Sequence, residues 1–169
     1  AIAPDETYDK DGCFSGSAIE LSDGRQLLMY TGVSKKYHED GKVEEFQHQC
    51  IAIGDGINYE KIDSNPVIGK ESLPEGANIY DFRDPKIFRE DDGFYALVGN
   101  RAADGTGAVL MYTSKDGISW SFVKVLDACK KRYGTMWECP DFFPLEEKQI
   151  LVVSPMDMEA EGLEFHSGH

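Results

Sequence analysis

The chain of 169 residues is long enough for one domain with a sizeable hydrophobic core. Asp and Glu outnumber Lys and Arg by 31 to 17, and the formal net charge of -14 would repel nucleic-acid phosphates and anionic lipids. We therefore expect neither a nucleic-acid partner nor a membrane partner. The hydrophobic fraction of 41% is typical of a folded protein, and no apolar run reaches the roughly 18 residues of a membrane span.

The first residues contain no basic segment followed by an apolar run, so we predict no export signal. The four histidines form no HExxH pair, and no metal site is predicted. The cysteine spacings match neither a zinc site nor the disulfide framework of a small secreted domain. We predict free thiols and a cytoplasmic protein. The cysteines concerned are Cys13, Cys50, Cys129 and Cys139.

Short runs of Val, Ile, Leu, Tyr and Phe recur between Asp-Gly turns, whereas helical periodicity is weak throughout. This pattern is typical of hairpin-connected strands and predicts an all-β protein. The polar stretches 34–45 and 126–133 are predicted to be surface loops. The predicted strands span residues 16–20, 26–31, 47–53, 85–89, 94–99, 108–113, 120–125, 141–144 and 149–154.

Three segments of the chain align with one another without gaps. Phe14-Ser15-Gly16-Ser17, Phe82-Arg83-Asp84-Pro85 and Trp137-Glu138-Cys139-Pro140 each precede an apolar run that begins ten residues after the fourth residue. Further along, the Asp55-Gly56 and Asp116-Gly117 turns lie 61 residues apart. Repeats of this length predict β-propeller blades of four antiparallel strands, with the first strand of each blade innermost.

The predicted blades start near residues 14, 82 and 137, which gives roughly two and a half blades. A propeller needs about 4 to 8 blades to close its ring. We therefore expect residues 1–169 to be a partial propeller domain of a longer protein.

The blade starts are the predicted functional site, because innermost strands line the central channel and begin at the same mouth of it. Phe14-Ser15, Arg83-Asp84 and Trp137-Glu138 would bring carboxyl groups, an arginine and aromatic rings together, as sugar hydrolysis requires. Each feature taken alone could be structural: an ion pair, a proline that begins a strand, or a solvated glutamate. Their common place in a repeat favours a shared site.

These three segments resemble blocks of glycoside hydrolase family 32, which includes invertases, inulinases, levanases and sucrose-6-phosphate hydrolases. The resemblance implies a five-bladed propeller, normally followed by a β-sandwich, that hydrolyses terminal β-fructofuranosides with retention. A fructose-containing sugar is then the expected partner, and no cofactor is expected. The oligomeric state is left open.

The resemblance also implies roles for individual residues. Glu138 would be the general acid/base, and Asp84 would stabilise the transition state through hydrogen bonds to fructose hydroxyls, helped by Arg83. Phe14 and Ser15 would contact the bound fructosyl unit. Cys139 would shape the site rather than act as a nucleophile.

The sequence departs from the family in one respect: the Trp-Met-Asn-Asp-Pro-Asn-Gly block, whose aspartate is the family's nucleophile, does not occur. We therefore expect the nucleophile, the first and last blades and the C-terminal β-sandwich to lie outside these residues. A fructosyltransferase, an arabinan-type hydrolase of a related propeller family and a non-catalytic sugar-binding propeller are the alternatives. The identity of the fructoside, and whether it is phosphorylated, stay open.

A chain without its nucleophile should not turn over substrate. We expect the isolated 169-residue chain to release no fructose from sucrose or from sucrose-6-phosphate, as measured by a coupled fructose assay. Turnover at the rate of the longer protein would show that a nucleophile lies within these residues.

Overall fold

The computed structural model describes residues 2–130, 132–160 and 162. All paired strands are antiparallel and the described residues form no α-helix, so the all-β prediction is confirmed. No helix in this part of the chain is long and apolar enough to cross a membrane. The strands are β1 (Gly12–Glu20), β2 (Gln26–Tyr37), β3 (Val43–Gly54), β4 (Tyr59–Lys61), β5 (Phe82–Glu90), β6 (Gly93–Arg101), β7 (Gly107–Ser114), β8 (Ser121–Ala128), β9 (Trp137–Leu145) and β10 (Lys148–Pro155), with one 3-10 turn at Lys70–Ser72.

The strands form three sheets in chain order, which we call the first (β1 to β4), second (β5 to β8) and third (β9 and β10) sheets. Their first strands lie side by side in the order β1, β5 and β9, and we call these three the innermost strands. The hydroxyl of Ser17 in β1 donates to the carbonyl of Pro85 in β5 (2.8 Å) and accepts from the N–H of Ile87 (2.7 Å). The N–H of Cys139 in β9 donates to the Asp84 carboxylate at 3.1 Å.

The two Asp-Gly turns occupy equivalent places, between the third and fourth strands of the first and second sheets. In each turn one oxygen of the Asp carboxylate accepts the backbone N–H groups two and three residues ahead, at 2.7 to 2.9 Å. Gly56 and Gly117 follow with φ of 95° and 76°, a conformation that glycine adopts without strain. The repeat found in the sequence is therefore a repeat of local structure.

Two hydrophobic clusters hold the three sheets together. The larger one lies between the first and second sheets and is built around Met29, Ile51, Phe82 and Tyr112, which are at most 1% exposed. The smaller one joins the second and third sheets through Leu97, Val109 and Trp137. Burying these side chains removes their apolar surface from water, which is the main stabilising contribution to such a fold.

The predictions of loops at 34–45 and 126–133 are wrong in part. β2 continues to Tyr37 and β3 begins at Val43, so most of the first stretch is a hairpin; β8 likewise continues to Ala128. Cross-strand polar pairs such as Lys35 with Glu45 (3.2 Å) accompany the hairpin. Neither stretch has the apolar alternation by which strands are predicted from sequence.

Each innermost strand contains a β-bulge close to its start. The register shifts between Phe14 and Gly16 in β1, between Arg83 and Lys86 in β5, and opposite Val152 and Ser154 in β9. Asp84 and Cys139 lie within the bulges of β5 and β9 and have φ of 62° and 46°. The proline after each of them has no N–H to donate to the partner strand, which suits a break in the ladder.

The strand pairing at the bulges differs from the gapless sequence alignment by one residue in β1. The residues paired just before each bulge are Phe14, Arg83 and Glu138, opposite Thr31, Gly99 and Ser154. The alignment instead placed Ser15 with Arg83 and Glu138. The β1–β2 loop spans residues 21–25, whereas the β5–β6 and β9–β10 loops have two residues each. Residues at the same distance along the chain from the next apolar run therefore do not take the same place in the strand pairing.

Gly16 gives a test of the packing at the first bulge. A Cβ atom there would lie 2.0 Å from the Met29 carbonyl oxygen and 2.7 Å from the Tyr30 Cα, so the backbone must shift to admit it. We expect Gly16→Ala to lower the free energy of unfolding by about 1–3 kcal/mol, measured by urea denaturation. Gly69→Ala is the control, because its Cβ would make an ordinary 3.5 Å contact with His48. Equal losses in the two variants would contradict this packing.

Candidate active site

A cleft of about 870 Å³ lies where the innermost strands begin, and all five predicted site residues line it. Phe14 and Ser15 come from β1, Arg83 and Asp84 from β5, and Glu138 from β9. A second cavity, of about 560 Å³, contains none of them. The remaining residues of the cleft are Cys13, Glu45, Gln47, Tyr80, Asp81, Cys139, Ser154 and Pro155.

The bulges explain how two consecutive side chains of one strand can reach the same cleft. Phe14-Ser15, Arg83-Asp84 and Glu138-Cys139 are such pairs. In a regular strand, successive side chains point to opposite faces, and a bulge interrupts that alternation.

Trp137 is not part of the cleft, which corrects the expected Trp137-Glu138 pair. It is 6% exposed, and its indole N–H donates to the carbonyl of Tyr133 at 2.8 Å. Its ring fills the space beside Gly107, where a Cβ would come within 2.7 Å of it. Because Trp137 directly precedes Glu138 and lies before the bulge, the two side chains point to opposite faces.

Arg83 links the acidic residues of the cleft. Its Nε and Nη2 donate to one oxygen of Glu138, Oε1, at 3.1 and 2.9 Å, and Nη1 donates to Asp81 at 2.9 Å and to Gln47 at 3.2 Å. Burial opposes the charge of the guanidinium, but the bonds to Asp81 and Glu138 raise the pKa of Arg83 above its ordinary value. The salt bridges of Arg83 go to Glu138 and Asp81.

Asp84 is held by the first and third sheets. Its backbone N–H donates to the hydroxyl of Thr31 at 3.0 Å, and its Oδ2 accepts the N–H of Cys139 at 3.1 Å and the thiol at 3.6 Å. The residue is 8% exposed, and this burial raises the pKa of Asp84 above its ordinary value. The hydrogen bond from Cys139 and the charge of Arg83 act in the opposite direction.

Cys139 carries a neutral thiol at pH 7. Burial and the neighbouring Asp84 charge raise the pKa of Cys139 to about 11, and the reactive form of cysteine is the thiolate. This agrees with a residue that shapes the site and donates hydrogen bonds to Asp84. Among the described residues, no group of three or more His, Cys, Asp or Glu side chains could hold a metal ion.

Sequence reasoning missed Gln47, Tyr80 and Asp81. Gln47 comes from β3, and the other two precede β5, so none of them belongs to the three aligned segments. Tyr80 is 43% exposed in the wall of the cleft, and its ring packs on Phe46 with centroids 5.4 Å apart. The sequence signal that could have indicated Asp81 is its place two residues before Arg83, where an acidic side chain can pair with the arginine.

Geometry alone defines an all-β protein with an arginine and four carboxyl groups, those of Glu45, Asp81, Asp84 and Glu138, in a cleft at the meeting point of its innermost strands. Residues 1–168 match the family described as Glycosyl hydrolases family 32 N-terminal domain. The chain therefore belongs to glycoside hydrolase family 32, as the sequence motifs indicated.

Individual relatives agree with this assignment. The sucrose-6-phosphate hydrolases of Escherichia coli and Bacillus subtilis are 39% and 34% identical, over 99% of this chain and 34% of their own length. A GH32 β-fructofuranosidase structure from Bombyx mori superposes with a TM-score of 0.79 at 35% identity, over 92% of this chain and 31% of that one. Sucrose-6-phosphate hydrolase from Lactobacillus gasseri gives a TM-score of 0.75 at 34% identity, over 90% and 30%. The chain spans about a third of the length of these curated relatives.

The burial of Asp84 predicts an unusual dependence of stability on pH. Its pKa is raised in the folded state, so folding disfavours the ionised form, and this penalty is present at neutral pH and disappears as pH falls below the ordinary range of aspartate. We expect Asp84→Asn to raise the midpoint of urea unfolding at pH 7, with the gain shrinking towards pH 3.

Asp116→Asn is the control of opposite sign. Hydrogen bonds from the N–H groups of Ser119 and Ile118 lower the pKa of Asp116, so this variant should lose stability at pH 7, and the loss should shrink in acid. A destabilised Asp84→Asn protein at pH 7 would show that the charge of Asp84 is compensated in the fold.

Proposed function

We propose that the protein containing this chain hydrolyses terminal β-fructofuranosides with retention, with Glu138 as general acid/base and Asp84 as transition-state stabiliser. The observation that carries the proposal is the single cleft in which the Arg83–Glu138 pair adjoins the buried Asp84. The relatives named sucrose-6-phosphate hydrolase and β-fructofuranosidase support the same reaction class.

In this mechanism Glu138 protonates the glycosidic oxygen as the bond to the fructosyl carbon breaks. Both bonds from Arg83 end on Oε1, and we assign the transferred proton to Oε2. A carboxylate outside these residues forms the fructosyl–enzyme bond, and Glu138 then takes a proton from the water that hydrolyses it.

Asp84 and the β1 residues bind the fructosyl unit. The bonds from Cys139 engage Oδ2 of Asp84, and we assign Oδ1 to the fructose hydroxyls. These hydrogen bonds strengthen as positive charge develops on the sugar ring, which favours the transition state over the bound substrate. Phe14, 43% exposed, and Ser15 form the opposite wall against the sugar.

For the substrate we propose sucrose or its 6-phosphate, because the relatives carry names of sucrose-6-phosphate hydrolases and of a raffinose invertase. Comparing kcat/KM on sucrose, sucrose-6-phosphate and a fructan with the longer protein identifies the natural one. Product analysis separates the reaction types: free fructose without longer fructans supports hydrolysis, and longer fructans indicate transfer.

The same proposal covers domain organisation and location. Residues 1–169 form part of a five-bladed catalytic propeller, supported by the third sheet, which has two strands within the described residues where the first two have four. A cytoplasmic location is supported by the four free cysteines.

Replacing the acid separates its role from substrate binding. In the longer protein we expect Glu138→Gln to lower kcat on sucrose by about 10²- to 10⁴-fold, because the leaving group then departs without a proton. On β-fructosyl fluoride, whose leaving group needs no proton, the first step should be much less affected, as measured by fluoride release.

Glu147→Gln, in the exposed turn between β9 and β10, is the matched control and should leave both rates unchanged. Equal losses on both substrates in the Glu138 variant would argue against the acid/base assignment.

A further inference from the structure

We propose that Thr31 and Gln49 are positioning residues that hold Asp84 in its functional orientation, an inference that rests on the function proposed above. Both lie in the first sheet, on β2 and β3, and both are 0% exposed. Through a buried chain of hydrogen bonds they act on the second sheet.

The backbone of Asp84 needs an external partner. It lies in the β5 bulge, where the pairing with β6 is interrupted between Arg83 and Lys86, and its φ of 62° is in the left-handed region. A non-glycine residue in such a conformation costs about 1–3 kcal/mol and persists only where its surroundings impose it.

Thr31 supplies that partner across the sheet boundary. Its Oγ1 accepts the N–H of Asp84 at 3.0 Å and donates to Oε1 of Gln49 at 3.0 Å. A hydroxyl has a single hydrogen. Because that hydrogen points to Gln49, the hydroxyl oxygen of Thr31 presents a lone pair to the N–H of Asp84.

Gln49 is oriented in turn by β5. Its Nε2 donates to the carbonyl oxygen of Phe82 at 2.8 Å, which leaves Oε1 turned to Thr31. The bonds therefore form a loop that leaves β5 at Phe82, crosses Gln49 and Thr31 and returns to β5 at Asp84. From there the carboxylate continues to the N–H of Cys139 in the third sheet.

Gln47 repeats the arrangement two residues earlier on β3. Its Oε1 accepts the N–H of Phe82 at 2.9 Å and Nη1 of Arg83 at 3.2 Å. Two buried amides on one strand thus fix the backbone on both sides of Phe82. Since unpaired buried polar atoms are costly, removing one member disturbs its neighbours as well.

The test compares variants of Thr31 in the longer protein. Thr31→Val keeps the shape and removes the hydroxyl, and Thr31→Ser keeps the hydroxyl. We expect Thr31→Val to lower kcat on sucrose roughly 10- to 100-fold with a smaller change in KM, since small displacements of catalytic groups have such effects. Thr31→Ser should retain most of kcat.

Ser114→Ala is the matched control. Ser114 is 3% exposed, and its hydroxyl accepts the N–H of Gly117 and donates to Asp116, both at 2.9 Å, at the outer end of β7. The Ser114→Ala variant should have a lower free energy of unfolding and an unchanged kcat. If Thr31→Val does not fold, Gln49→Met removes the next member of the loop and should give the same selective loss of kcat.

A second readout does not depend on turnover. Hydrogen exchange of the Cys139 amide, measured by NMR, should accelerate in Thr31→Val and stay protected in Thr31→Ser and Ser114→Ala. A wild-type protein that releases no fructose would refute the proposed function, and the exchange data would still decide the positioning role. The positioning role would be overturned if Thr31→Val left kcat and the exchange protection of the Cys139 amide unchanged. It would also be overturned if Ser114→Ala lowered both as much as Thr31→Val does.

Discussion

The cleft depends on one extra residue in each innermost strand. In a regular strand only every second side chain would face the cleft, so two neighbouring side chains of β1, β5 or β9 could not both line it. The bulges let Phe14-Ser15, Arg83-Asp84 and Glu138-Cys139 each present two neighbouring side chains. Three strands therefore place two carboxyl groups, an arginine and an aromatic ring in one cleft.

Backbone and carboxylate groups in the bulges need hydrogen-bond partners from the rest of the fold. A bulge leaves backbone groups without ladder partners, and a buried carboxylate loses its water. Thr31 and Gln49 bind the backbone around Asp84, and the N–H of Cys139 binds its carboxylate. The three sheets are thus joined by polar bonds at the centre and by apolar packing around it. The pKa of Asp84 is raised because burial outweighs the hydrogen bonds from Cys139 and the charge of Arg83. Such perturbed pKa values are frequent at functional sites.

Sequence patterns predicted the features that depend on local chemistry. Asp-Gly turns, apolar strands and the spacing of the repeat are visible in the sequence, and they predicted the all-β class and five of the residues that line the cleft. The orientation of Trp137 and the one-residue offset of Phe14 depend on where a bulge interrupts the alternation of side chains between the two faces of a strand. The position of a bulge cannot be read from the sequence, because the hairpin loops differ in length. Gln47 and Gln49 lie in a predicted strand, and their partners on β5 are more than 30 residues away. No local pattern distinguishes them from surface glutamines.

The arrangement also constrains where the nucleophile of the proposed mechanism can lie. A retaining mechanism places the nucleophile about 5–5.5 Å from the acid/base. Arg83 already binds Oε1 of Glu138, and Asp81 binds the other end of the guanidinium, so that side of Glu138 is occupied. An incoming carboxylate therefore has to approach from the open side of the cleft, where the fructosyl carbon would lie between it and Glu138. In the proposed mechanism, contacts among these three sheets fix the acid/base Glu138 and the stabiliser Asp84, and the nucleophile has only to reach a site that is already formed.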